Sequence, residues 1–165
     1  MSGTCTGAIS GVTPFAAAAR NGAQKLGITL VPTLSFRPEL EGEYVRIFDA
    51  MVEENVDAIL APPTPETAIF KSRIVKQAAL RRLPSIYCQP QLARAGGLMS
   101  YGPDIPVLYR RAGSYIDRIL RGADPASLPI EQASVFRLVL NLKTAKALGL
   151  TFPRHLLLRA DEVIY

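Results

Sequence analysis

The 165-residue chain is 48% hydrophobic and 20% charged, with 13 prolines and 12 glycines scattered through it. That is enough apolar material for one core, and it excludes disordered, collagen-like and low-complexity chains. The net charge of +5 is dispersed. Its densest groups are Arg81-Arg82 and the set Arg110, Arg111, Arg118 and Arg121, which fall on predicted helices as solvated faces, so no nucleic-acid partner is expected.

In chain order, Thr13-Pro14 reads as an N-cap followed by a first-turn proline, and Gly27 as the stop of a helix whose stripe is Phe15, Ala18, Ala19, Ala23 and Leu26. Ahead of it, residues 1–13 form a Ser/Thr/Gly-rich segment, containing Cys5, that is expected to fray. Residues 28–31 follow as a short buried strand ending at Pro32. Leu40, Tyr44, Ile47, Phe48 and Met51 then repeat at helical spacing. A strand is predicted over 58–61, and a helix over 65–80 with Ile74, Val75, Ala78 and Ala79 inward. A third strand follows over 84–88, closed by Cys88.

Residues 98–101 read as a further strand, ahead of a helix over 107–120 with an apolar stripe of Leu108, Ala112, Tyr115, Ile116 and Ile119. After a proline-bounded loop come an alternating strand over 135–140, a helix over 142–148 stopped by Gly149, a short helix over 154–160 and a last strand over 162–165. Strands alternating with helices through short turns need right-handed crossovers. The expected fold class is therefore α/β, a three-layer architecture with a mostly parallel sheet covered by helices on both faces.

In such sheets ligands sit beyond the carboxyl ends of the strands. Three loops qualify: Pro62-Pro63-Thr64-Pro65-Glu66-Thr67, Gln89-Pro90-Gln91, and Ser100-Tyr101-Gly102-Pro103-Asp104. Thr64 suits either a helix cap or a ligand hydroxyl contact, the glutamine amides offer donors and acceptors, and Tyr101 suits either a lid or core closure.

Catalytic patterns are missing. The run from Gly96 to Gly102 lacks dinucleotide-turn spacing and precedes a strand, and there is no Walker-type loop. The single histidine, His155, lies beside Arg154 near the end of the chain, and the acidic pairs Glu53-Glu54 and Asp161-Glu162 are adjacent in sequence, so their carboxylates diverge. Cys5 and Cys88 belong to no metal or redox motif. No enzyme, cofactor or metal is expected. Residues 1–19 lack the basic start and continuous apolar run of a secretory signal, so the chain as encoded is cytoplasmic if it is full length.

The string Gly96-Gly97-Leu98-Met99-Ser100-Tyr101-Gly102-Pro103-Asp104, followed by Leu108-Tyr109-Arg110-Arg111-Ala112, resembles the substrate-binding proteins of ABC-type importers. These are bilobal periplasmic binding proteins of the type I Venus-flytrap fold. Ile119-Leu120-Arg121-Gly122-Ala123, Leu128-Pro129-Ile130-Glu131-Gln132, the run from Leu140 to Leu150, and Arg159-Ala160-Asp161-Glu162-Val163-Ile164 agree in the same order, so the resemblance covers residues 17–165.

The resemblance implies a periplasmic or surface-tethered receptor that closes two lobes over a small solute and passes it to an ABC permease. Family members are much longer, so the chain corresponds to their carboxyl-terminal half. Residues 8–12 are the one stretch that could replace the second lobe's first strand. The implied organisation is an N-terminal segment (1–13), a second-lobe α/β domain (14–102), a crossover helix and loop belonging with the absent first lobe (103–129), and a return to the second lobe (130–165). The implied ligand contacts are Thr64, Glu66, Thr67, Gln89 and Tyr101, and the implied solute is a small polar, amino-acid-like molecule. The helix over 107–120, deprived of its usual partner, is expected to fold onto the remaining sheet or to mediate self-association. The alternatives are a cytoplasmic ligand-sensing regulatory domain of the same fold and a small α/β enzyme.

Overall fold

A computed structural model describes residues 4–7, 14–32 and 41–165. Strands β1 (Thr4–Gly7), β2 (Thr29–Pro32), β3 (Ala58–Ala61), β4 (Ser85–Tyr87), β5 (Met99–Pro103), β6 (Phe136–Asn141) and β7 (Glu162–Ile164) form one sheet in the order β2-β1-β3-β4-β5-β6-β7. Every pair is parallel except β5 with β6. The helices are α1 (Pro14–Leu26), α2 (Glu41–Glu53), α3 (Pro65–Ile69), α4 (Lys71–Leu80), α5 (Pro90–Arg94), α6 (Ile105–Leu120), α7 (Leu142–Leu148) and α8 (Arg154–Leu157). The 2-1-3-4-5 order of the first five strands is that of a doubly wound sheet. Its right-handed crossovers put α1 on one face and α2 and α4 on the other.

Thr4–Gly7, in the segment expected to fray, is instead an interior strand, paired with β2 on one side and β3 on the other. Two neighbouring ladders absorb its backbone donors and acceptors, which a polar sequence alone does not reveal. The proposed stand-in strand over 8–12, the Thr13 cap and Leu40 lie outside the described residues.

The main core lies between the sheet and the helices α2, α4 and α5. Tyr44, Phe48 and Met51 meet Ile74, Val75 and Ala78, with Ile59, Ala61, Tyr87 and Leu92 beneath them. The predicted stripe of α2 is thus its buried face, while on α4 Ala79 turns outward. On α1 the buried residue is Ala16, and Ala18 and Leu26 are exposed. Leu26 is the last residue of that helix.

The helix expected over 65–80 is two helices. Phe70 breaks it, with its N–H bonded to the Glu66 carbonyl at 2.9 Å, its ring tilted against Tyr44 at 5.8 Å and the Arg73 guanidinium over the ring. The break thus coincides with a ring packed against the core at α2.

Between β5 and β6 the chain makes an excursion. It leaves at Asp104, runs through α6 and the turn Pro125–Ser127, and returns at Val135, whose carbonyl accepts from the Asp104 N–H at 2.9 Å. No residue of α6 is buried. Its apolar side faces only the returning segment, where the Tyr115 hydroxyl donates to the Pro129 carbonyl at 2.7 Å, and Tyr109, Ile116 and Leu120 are 75%, 58% and 81% exposed. Of the two outcomes expected for this helix, folding onto the remaining sheet or self-association, the first is not what the structure has.

Candidate functional site

The carboxyl ends of β3, β4 and β5 border a cavity of 710 Å³, within the range of small-molecule sites. Each wall comes from one strand-to-helix junction: Pro63 and Ala68 after β3, Cys88 to Gln91 after β4, Pro103 and Asp104 after β5. The outer wall is the first turn of α6 through Tyr109, and Arg94 and Arg137 complete the rim. The three loops picked out from sequence therefore converge on one concavity.

Of the five residues named from sequence, Gln89 lines this volume. It is also the N-cap position of α5, a five-residue helix that follows because Pro90 has the fixed φ of a first helical residue. Thr64, Glu66 and Thr67 form the turn between Pro63 and Ala68 without lining the cavity themselves. Thr64 caps α3, its Oγ1 accepting from the Thr67 N–H at 3.3 Å and lying 3.1 Å from the buried Thr67 hydroxyl. The Glu66 carboxyl is held below the ordinary range by its own backbone N–H and then by the Thr64 hydroxyl. Tyr101 sits apart. Strand alternation sends it to the face opposite the buried Ser100 and Gly102, where its half-exposed ring stacks on Phe136 at 5.6 Å.

Sequence reading placed Asp104 in the third loop without naming it as a contact, and it missed Arg94 and Arg137. Asp104, 5% exposed, is the N-cap of α6, accepting from the Val107 N–H at 3.2 Å and from Arg137 Nε at 2.5 Å. The Arg137 bond is the main reason its carboxyl lies below the usual carboxylate range; burial opposes the shift and the Val107 N–H assists it. Asp104 ahead of Ile105-Pro106 is a legible capping signal, but Arg137 reaches it only through the β5–β6 register, which pairs Gly102 with Arg137.

Arg94 is held by Glu162 of β7, with Nε at 2.9 and 3.2 Å from its two oxygens and Nη2 at 2.6 Å from Oε2. This bond lowers the Glu162 carboxyl and raises the Arg94 guanidinium. The Cys88 thiol, half-buried on the cavity wall, is pushed up by desolvation. His155 is exposed on α8. Among the described residues no group of three His, Cys, Asp or Glu is placed to hold a metal ion.

A doubly wound sheet with an open, mainly apolar cavity at its strand ends has the architecture of a ligand-binding α/β domain. The family model for ABC transporter substrate binding proteins matches residues 9–164, and the chain belongs to that family. No curated protein matches the chain.

Among solved structures, a conserved domain protein from Vibrio cholerae superposes with TM-score 0.85 at 23% identity over 97% of this chain. The ABC domain in complex with L-Trp from Streptococcus pneumoniae gives 0.83 at 26% identity over 98%. A ligand-free, open substrate binding protein with adhesive properties from Clostridium difficile gives 0.69 at 19% over 98%. The matched regions are 54%, 56% and 54% of those chains, so this chain spans about half their length.

Proposed function

We propose that the chain is the solute-binding part of an ABC-type uptake system, working outside the cytoplasmic membrane without catalysing a reaction. Its solute is a small polar, amino-acid-like molecule held in the cavity beyond β3, β4 and β5 and handed to a membrane permease. The observation that carries this reading is the family match over residues 9–164, coinciding with a cavity bordered by three successive strand-to-helix junctions. The pneumococcal neighbour that binds L-Trp supports an amino-acid-like solute. Gln89 contacts the solute, and the Thr64–Thr67 turn borders the same opening.

The excursion from Asp104 to Val135 belongs, on this reading, with an opposing lobe that corresponds to the remaining length of the neighbours. One lobe supplies one wall of the site, so the chain alone binds weakly, with a Kd above about 10 μM, equivalent to less than about 7 kcal/mol. The test is a thermal-shift panel on the purified chain with L-tryptophan, the other amino acids, sugars and nucleosides, followed by calorimetry. An amino acid is expected to bind, and Gln89→Ala to weaken it about tenfold, the worth of one hydrogen bond to a polar solute. A panel in which nothing binds would sink the proposal, as would turnover of a panel compound.

A further inference from the structure

The cavity holds two arginines in different states. Arg94 presents Nε and Nη2 to the Glu162 carboxylate, so the fork that would read a second carboxylate is occupied. Arg137 bonds Asp104 through Nε, and neither of its terminal nitrogens bonds any described residue. Its side chain is 49% exposed and lines the cavity. The residue paired with it across β5 is Gly102, which presents no side chain. Asp104 is itself fixed twice, by burial under the start of α6 and by the Val107 N–H, so the Nε bond sets the plane of the guanidinium instead of letting it swing. The result is a planar, pre-aimed pair of N–H groups at the wall of a solute-sized cavity.

We propose that Arg137 reads a carboxylate on the solute through its two terminal nitrogens and that Asp104 is the positioning residue that aims it. The proposal rests on the cavity being the solute site. Charge selects the class of anion. Arg94 and Arg137 are each paired already, with Glu162 and Asp104, so a dianionic phosphate would meet no surplus of positive charge, whereas a single carboxylate needs only the open fork.

The test uses calorimetry on the 165-residue chain with L-tryptophan and with tryptamine, which keeps the ring and amine and lacks the carboxylate. The wild type is expected to bind L-tryptophan at least about tenfold more tightly than tryptamine. Arg137→Gln removes that preference and leaves tryptamine binding where it was. Arg137→Lys keeps the charge, loses the fork and restores only part of the preference. Asp104→Asn lowers L-tryptophan affinity several-fold and spares tryptamine, a selectivity that loss of structure would not produce. Thermal unfolding of each variant serves as the folding control.

Equal affinity for the two probes, or full L-tryptophan binding by Arg137→Gln, overturns the assignment. If a sugar or nucleoside binds in the cavity and L-tryptophan does not, the carboxylate assignment fails while solute binding stands. If nothing binds, both fall.

Discussion

A Cβ built on Gly102 would lie 1.8 Å from the Cys88 carbonyl oxygen, and real Cβ atoms never approach backbone so closely. β4 and β5 run side by side here, and their carboxyl ends can come together at the cavity only because one of the facing residues has no side chain. Gly149 is a different case: nothing lies within 4 Å of its Cβ position, but its φ of +75° ends α7 in the left-handed region. Gly102→Ala is therefore expected to cost about 3 kcal/mol, as backbone must move, and Gly149→Ala about 1 kcal/mol, the strain of a left-handed alanine. Urea denaturation of the two variants checks both size and order; a Gly102→Ala chain as stable as wild type would show that the strands part easily. At this scale the sequence was readable where a residue acts on its own turn, as with the Gly149 stop. It was unreadable where the contact is made across strands, as with Gly102 against Cys88 and Arg137 against Asp104.

Helices long enough to show their period were legible as elements. Tyr44, Ile47, Phe48 and Met51 name the inner face of α2, and Ile74, Val75 and Ala78 that of α4. The five-residue α5 left no period to find, and the break at Phe70 depends on a ring packed against another helix. The start of α6 illustrates how one residue governs an element. Asp104 is lowered below the usual carboxylate range chiefly by Arg137, so its contribution is complete above the unfolded-state value and is lost as pH falls through the lower folded-state value. Amide exchange at Val107 and Leu108 is therefore expected to speed up, relative to the core, on acidification below the ordinary aspartate range, and Asp104→Asn to exchange faster already at neutral pH with little further acid dependence. An unchanged acid response in Asp104→Asn would assign it to another group.

At the scale of the whole molecule, the excursion is a poorly covered appendage on a well-packed body. Tyr109, Ile116 and Leu120 are all largely exposed on α6, none of whose residues is buried, and burial of each would be worth about 1.5–3 kcal/mol. The isolated chain is accordingly expected to self-associate as concentration rises, and Ile116→Lys with Leu120→Lys to shift it to monomer by sedimentation velocity while leaving the urea midpoint unchanged. A wild-type chain that stays monomeric at high concentration would mean that the face is tolerated in water. The doubly wound class was legible because alternating strands and helices admit few topologies. The antiparallel turn of β6 and the interior place of β1 were not, since strand order is written in pairings and not in any single strand.

That place of β1 bears on how the protein is made. β1 lies inside the sheet, between β2 and β3, and both of its partners come later in the chain, so its pairing is complete only when Ala58–Ala61 has also been synthesised. Until then one edge of a short polar strand waits unpaired, its low hydrophobicity a protection against premature contacts. Once β3 arrives, the sheet can extend β4, β5, β6 and β7 in the order of synthesis, each new strand adding to an edge already formed. Closure of the sheet around β1 thus waits on a segment further along the chain, whereas each later strand is added beside its predecessor.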